Sequence, residues 1–479
     1  MNLAMRRSPW ATLTVLALAQ FIVVLDVTIV NVALPHIQSG LGFTTDGLQW
    51  VISAYILLFG GFLLLGGRVA DLLGSRRVFI TGLALFGVSS LAGGLATSPV
   101  QLIAARAVQG FGGALLSPAA LGILTITFEH GRRRNIAMGV WGGLAGLGGT
   151  AGVVLGGVLV DSLSWRWVFI VNVPIVIALV IATPVFVRPI APHQGNRSFD
   201  LLGAVLGTGG LLAVVYGVVR AEPVGWSSAE VIGFLATGVV MLAAFLAVEA
   251  RTTAPLVPLR LLRARALSTA GGALALNGAA FLSMFFLTAI FLQQVRGDSA
   301  LRTGVEFLPM GGAAILGAVM ATPLVTRLGT RPVMMVGAVL NVAGLLLLAR
   351  VDAHGSYPTG LMPGLIIFGA GLSAIAVPAQ IAAVVDVSHQ EAGAASGVVQ
   401  AFQQVGGALG LAIVSTLSTS RTTSAIASGA SQSDGLTDGF HRGLLVAAVY
   451  AVVTIAVTFL SPRLAPSPEQ IAEAAAVAA

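Results

Sequence analysis

Fourteen apolar stretches follow one another along the chain, at 10–32, 48–66, 78–97, 100–127, 136–160, 166–187, 200–219, 230–248, 267–293, 304–325, 333–349, 360–385, 393–416 and 443–461. A helix of about 20 apolar residues spans the roughly 30 Å of hydrocarbon in a bilayer. Lipid offers no hydrogen-bond partners, so each stretch must satisfy its backbone internally, as a helix does. A closed barrel would need period-2 alternation over roughly ten residues at a time, and none is visible. Connections such as Thr97-Ser98-Pro99, Glu129 to Arg134 and Ala191 to Asn196 are polar or helix-breaking. The expected fold class is an all-α integral membrane protein, with the lipid bilayer as its solvent. Composition agrees: of 479 residues, 56% are hydrophobic and only 9% charged, where soluble proteins carry about 25% charge.

All 25 basic residues are arginine. With the N-terminus in the cytosol, the even-numbered connections and the two termini hold 17 of them, the odd-numbered connections hold seven, and Arg106 lies inside a span. That bias obeys the positive-inside rule for an even number of spans and predicts that both termini are cytosolic. It also accounts for the net charge of +7 without a contiguous basic face, so no nucleic-acid partner is expected. The first stretch is too long, and followed by too many others, to read as a cleavable signal. Cysteine is absent, which removes disulfides and thiol chemistry.

Two patterns recur at nearly one offset. Leu73-Gly74-Ser75-Arg76-Arg77-Val78 is echoed by Leu328-Gly329-Thr330-Arg331-Pro332-Val333, a shift of 255. Gly152 and Gly156 return as Gly406 and Gly410, a shift of 254. A duplicated six-helix unit explains both, and paired bundles of this kind are built for alternating access around a midplane site. The expected organisation is an N-terminal bundle over 1–190, two inserted helices over 191–262, a C-terminal bundle over 263–465 and a short cytosolic tail over 466–479.

Asp26 lies inside the first apolar stretch, in Leu25-Asp26-Val27-Thr28-Ile29-Val30-Asn31-Val32-Ala33-Leu34-Pro35. A carboxylate at such depth costs roughly 2.5–3.5 kcal/mol, which marks it as a candidate proton- or ion-coupling group. Arg106 lies several residues into the fourth stretch, with Gln109, Gly110, Gly113 and Ser117 on its helical face. A guanidinium keeps its charge at any physiological pH and so cannot be the carrier itself, but it can bias a nearby carboxylate. The alternative on the residues alone is that Asp26 and Arg106 fasten helices through unrelated contacts.

Gly67-Arg68-Val69-Ala70-Asp71-Leu72-Leu73-Gly74-Ser75-Arg76-Arg77 resembles the cytoplasmic loop motif of the major facilitator superfamily, G-x-L-A-D-x-x-G-R-[RK]-[RK]. Leu102 to Ala114 is similar to the fourth-helix motif of its proton-driven antiporters, and the stretch around Asp26 to the first-helix motif of the fourteen-span drug:proton branch. The resemblance implies two six-helix bundles plus two inserted helices, a monomer in the cell membrane, and export of drugs, antibiotics or other hydrophobic or cationic small molecules against protons. It implies proton coupling at Asp26 and Arg106 and a conformational latch at Gly67, Asp71, Gly74, Arg76 and Arg77. From spacing alone, that loop reads equally as a latch or a static anchor. Gly148, Gly152, Gly156 and Gly157 stand where the family has its antiport motif, with Val153 in place of the motif's proline. Small residues at this spacing also serve ordinary close helix packing.

Candidate substrate contacts are Gln109, Glu306, Gln403 and Gln404. Glu306 reads alternatively as a solvated interface residue, and the glutamines as helix-to-helix bonds. Nothing points to an enzyme. No lysine means no P-loop, and the six scattered histidines form no metal-ligand pattern, so neither cofactor nor metal is expected. A G-x-G-x-x-A match at Gly146, Gly148 and Ala151 lies within a span with no strand before it. The remaining function is transport, as a proton-driven exporter or else as an importer or uniporter of a small metabolite. The Ser-, Thr- and Gly-rich segment from Ser418 to His441 reads as a flexible connector.

Overall fold

A computed structural model describes residues 8–43, 45–48, 50–128, 132–189, 200–252, 255, 257, 259–353, 355–383, 387 and 392–462. Arg6, Arg7, Arg197, Arg463, His193, Asp386, His389 and the 466–479 tail lie outside the described residues. The described residues are helical throughout, with no strand. The long helices are α1 (Pro9–Leu41), α2 (Trp50–Leu73), α3 (Ser75–Gly94), α4 (Pro99–Thr127), α5 (Arg132–Ser162), α6 (Asn172–Phe186) and α7 (Leu201–Val224). They continue as α8 (Ala229–Glu249), α9 (Arg265–Ile290), α10 (Leu308–Leu328), α11 (Thr330–Leu348), α12 (Tyr357–Ala383), α13 (Ala392–Ala427) and α14 (Gln432–Leu460).

Among the described residues, thirteen helices are long and apolar enough to cross a membrane, one fewer than the fourteen spans expected. The remaining stretch, 136–160, lies in α5, which runs unbroken for 31 residues and includes side chains outside the described set. The other departure is the expected connector at 418–441. It is helix on both sides of a gap that ends before Gln432, because α13 extends to Ala427. Its small residues form a packing face rather than a linker. Ser418 donates to the Gly439 carbonyl at 2.8 Å, Arg421 pairs with Asp438 at 2.7 Å, and a Cβ on Gly439 would overlap the Thr422 hydroxyl.

Local chemistry sets the helix ends. Ser98 caps α4 by accepting from the Gln101 N–H, with Pro99 at the first helical position. The repeated Leu-Gly-(Ser/Thr)-Arg turn has the same backbone solution twice. Gly74 joins α2 to α3 at φ 93°, and Gly329 joins α10 to α11 at φ 84°, in a region that penalises any side chain.

The chain divides into two compact units, each discontinuous in sequence. Unit 1 contains Met1–Glu129, Gly152–Ala264 and Asp386–Ala401, so α7 and α8 belong to it. Within it α4 packs against α2 and α3, and α7 reaches α2 through Trp50 and Tyr216, whose rings lie 5.9 Å apart. Unit 2 contains His130–Ala151, Arg265–Val385 and Phe402–Ala479. Its core joins α9, α11, α12 and α14 through Met284, Leu345, Phe368 and a stacked Phe291–Phe440 pair at 4.4 Å. The first part of α5 packs here, with Asn135 donating to the Thr326 hydroxyl at 3.2 Å. Burial lowers the neighbouring Arg134 guanidinium to about 10.

Candidate functional site

The buried polar centre of unit 1 is assembled from five helical segments. Asp26 on α1 is fully buried, and its Oδ2 meets Arg106 Nη1 of α4 at 2.5 Å. Its Oδ1 accepts from Gln109 Nε2 at 2.8 Å and from Asn172 Nδ2, at the start of α6, at 3.1 Å. Arg106 is tied down further. Its Nη1 donates to Gln109 Oε1 at 2.7 Å, its Nε to the Val51 carbonyl at 3.0 Å, and its guanidinium lies 4.3 Å over the Tyr55 ring of α2. Ser90 of α3 completes the ring. Its hydroxyl donates to the Phe169 carbonyl at 2.9 Å and accepts from Gln109 and Asn172.

The sequence builds this centre locally. Arg106 and Gln109 are three apart on one helix, so their side chains leave the same face and bond to each other. Gly110 is required because a Cβ there would collide with the Tyr55 carbonyl oxygen, holding α2 away from the arginine it stacks on. Asn172 enters from the segment Trp167–Ile170 and α6, where Phe169 also contributes its carbonyl. An ionised carboxylate this deep is tolerated because an arginine and two amides aim donors at it. Among the described residues every partner of the Asp26 carboxylate is a donor, so a proton placed on it would meet no acceptor in this arrangement.

Other expected site residues lie as follows. Gly152 and Gly156 on α5 pack against α1 beside Asp26. A Cβ at Gly152 would overlap the Thr28 hydroxyl and reach within 2.9 Å of the Leu25 carbonyl, and one at Gly156 would press on Ile29 and Val32. Gly148 and Gly157 are buried on the same helix, which continues through Val153 without a break. Of the loop motif, Gly67, Asp71 and Gly74 are buried, Arg77 is exposed, and Arg76 donates to the Val187 carbonyl at 3.1 Å. Arg76 and Arg188 face a cavity of about 470 Å³.

Glu306 belongs to unit 2. It is 7% exposed, so the solvated-interface reading does not hold. Arg302 lies 3.4 Å from Glu306 and 3.0 Å from Asp298, which also faces Arg296. Gln403 and Gln404 are half-buried on the unit 2 part of α13. Among the described residues, no group of three His, Cys, Asp or Glu is placed to hold a metal.

Sequence reasoning brought Asp26, Arg106 and Gln109 forward but not Asn172, Ser90 or Tyr55. Each is a neutral polar group inside an apolar run, and one such group is too common in membrane helices to stand out. The available signal was position: Asn172 interrupts Val168-Phe169-Ile170-Val171 just where a proline follows at Pro174.

The family model described as Major Facilitator Superfamily matches residues 16–411. The puromycin resistance protein pur8 of Streptomyces alboniger is 42% identical over 86% of this chain and 82% of its own length. The cephamycin export protein CmcT of Amycolatopsis lactamdurans is 39% identical over 84% of each chain. The crystal structure of the human organic anion transporter MFSD10 (TETRAN) superposes with a TM-score of 0.66 at 15% identity, covering 94% of this chain and 99% of that one, which shows a shared fold.

Proposed function

The chain belongs to the Major Facilitator Superfamily, and from that premise we propose that it exports antibiotics or other hydrophobic or cationic small molecules in exchange for protons. Relatives named for puromycin resistance and cephamycin export support the direction and the substrate class. The observation that carries the coupling is the Asp26–Arg106 pair at 2.5 Å in a fully buried, donor-lined centre. The carboxylate of such a pair can take two forms. Ionised, the carboxylate holds Arg106. Protonated, it releases the guanidinium, which must then find other acceptors. A proton entering Asp26 from one side of the membrane thus alters how α1 and α4 are held, and substrate binding favours its departure to the other.

In this reading α5 is the fourteenth span, helices 1–6 and 9–14 are duplicated halves covering 1–190 and 263–465, and the 191–262 pair is inserted between them. The protein acts as a monomer in the cell membrane with both termini in the cytosol. The loop around Asp71, Arg76 and Arg77 serves as a conformational latch, and Gln403, Gln404 and Glu306 are candidates for substrate contact. Uptake of a compound panel into everted vesicles, with and without a pH gradient, tests the reading. Substrate accumulation that collapses with the gradient supports it. Accumulation indifferent to the gradient would replace it with facilitated transport of a metabolite.

A further inference from the structure

From the hydrogen-bond inventory of the buried centre, we infer that Asn172 is an amide switch that reads the protonation state of Asp26 by reversing its carboxamide. This inference rests on Asp26 being the titrating group.

The inventory leaves one atom over. Asp26 Oδ2 receives from Arg106, and Oδ1 receives from Gln109 and Asn172. All three are donors, and they are the complete set of partners within hydrogen-bond distance of the carboxylate among the described residues. A protonated Asp26 therefore has an O–H and nothing to give it to. Asn172 is fully buried, and while its Nδ2 donates to Asp26 and to Ser90 at 3.1 Å each, its Oδ1 has no partner at all. An orphaned carbonyl beside a carboxylate costs free energy in the ionised state.

Rotation of the Asn172 carboxamide by half a turn gives that proton an acceptor. Oδ1 then faces the Asp26 hydroxyl and accepts its proton in a hydrogen bond. Gln109 cannot do this: its Oε1 already accepts from Arg106 at 2.7 Å, and turning it would set an NH2 against a guanidinium. Ser90 survives the rotation, because its hydroxyl donates to the Phe169 carbonyl and it keeps Gln109 as a donor. The proton itself comes from and returns to water, and only hydrogen bonds are exchanged. The charged or titratable groups facing Asp26 are Arg106 on α4, which stays a donor in both states, and Tyr55 on α2, whose hydroxyl makes no hydrogen bond.

Asn172 is thus a positioning residue for the carrier, since it sits on α6 and couples that helix to the state of α1. Infrared difference spectra of the full chain in proteoliposomes, acidic minus alkaline, test this. The wild type should give a carboxyl C=O band that is absent from Asp26→Asn. In Asn172→Leu that band should move to higher frequency as the carboxyl loses its acceptor, and proton-driven exchange should fall about tenfold, the worth of one such bond. Asn172→Ala gives the same readout if the leucine variant folds poorly. Wild type labelled with 13C-asparagine supplies it without any substitution, as an amide carbonyl band that moves on acidification. A carboxyl band at the same frequency in the Asn172 variants overturns the switch and leaves Asp26 as carrier. The absence of any band removed by Asp26→Asn overturns the carrier role and the switch together.

Discussion

Asp26 and Arg106, 80 residues apart in sequence, form a 2.5 Å ion pair in which neither side chain is more than 2% exposed. A pair buried to this degree gains little or no net stability over apolar residues of the same size, yet removing one partner strands the other at a cost of about 3–5 kcal/mol. Arg106→Leu should therefore unfold at markedly lower temperature than wild type, and the Asp26→Leu/Arg106→Leu double variant should recover most of the loss. Thermal unfolding in detergent checks this; a double variant no more stable than the single would mean the two do not act as a pair.

Asp26→Asn keeps the shape of the side chain and removes its ability to gain and lose a proton. Gradient-driven export should drop on the order of tenfold or more, corresponding to at least about 1.4 kcal/mol of lost coupling. Substrate-induced proton release, followed with a pH dye in liposomes, should vanish. Undiminished release would exclude Asp26 as the carrier.

Arg106→Lys preserves charge but not the fork that reaches Asp26, Gln109 and the Val51 carbonyl together. The expected result is a protein that still folds but exchanges protons about tenfold more slowly, since a charge-assisted hydrogen bond contributes about 1.5–3 kcal/mol. Exchange at the wild-type rate would show that charge alone suffices.

Gly152→Val would drive a side chain into the Thr28 hydroxyl and the α1 backbone beside Asp26. Overpacking of this kind costs about 1–3 kcal/mol. Thr28→Ala should relieve part of it, since the overlapping hydroxyl is gone. A melting temperature for Gly152→Val equal to wild type would mean that α1 and α5 do not meet there.

Arg134 has a pH signature of its own. Burial lowers it from the usual arginine value to about 10, so the stability it contributes is full only above the unfolded value and is lost as the pH falls through about 10. At neutral pH it carries a charge at a desolvation cost. The stability of Arg134→Gln relative to wild type should therefore fall between pH 7.5 and pH 10.5. A relative stability that does not change with pH would assign the effect to something other than this charge.

How much of this could be read from residues alone depended on how expensive each residue is in lipid. Asp26 and Arg106 were legible because an ionisable group in an apolar run has few structural excuses, and the helical spacing of Gln109 follows from Arg106. Asn172 and Ser90 were not, because neutral polar groups in a span are cheap and only their three-dimensional meeting gives them meaning. The segment from Ser418 to Ala427 misled for the opposite reason: small residues that pack two helices closely have the same composition as a linker. Glu306 looked solvated because it stands near a span end, whereas Arg302, one turn earlier on the same short helix, covers it.

Unit 1 contains residues 386–401 and unit 2 contains residues 130–151, so neither is continuous along the chain. During synthesis the early helices enter the bilayer long before the segment that completes unit 1 has left the ribosome. The Asp26 centre can close sooner, since all its members precede residue 173. The nascent chain accordingly carries a finished charge pair within an unfinished bundle, and a fragment that stops before residue 386 would retain the former while leaving a helical gap in the latter.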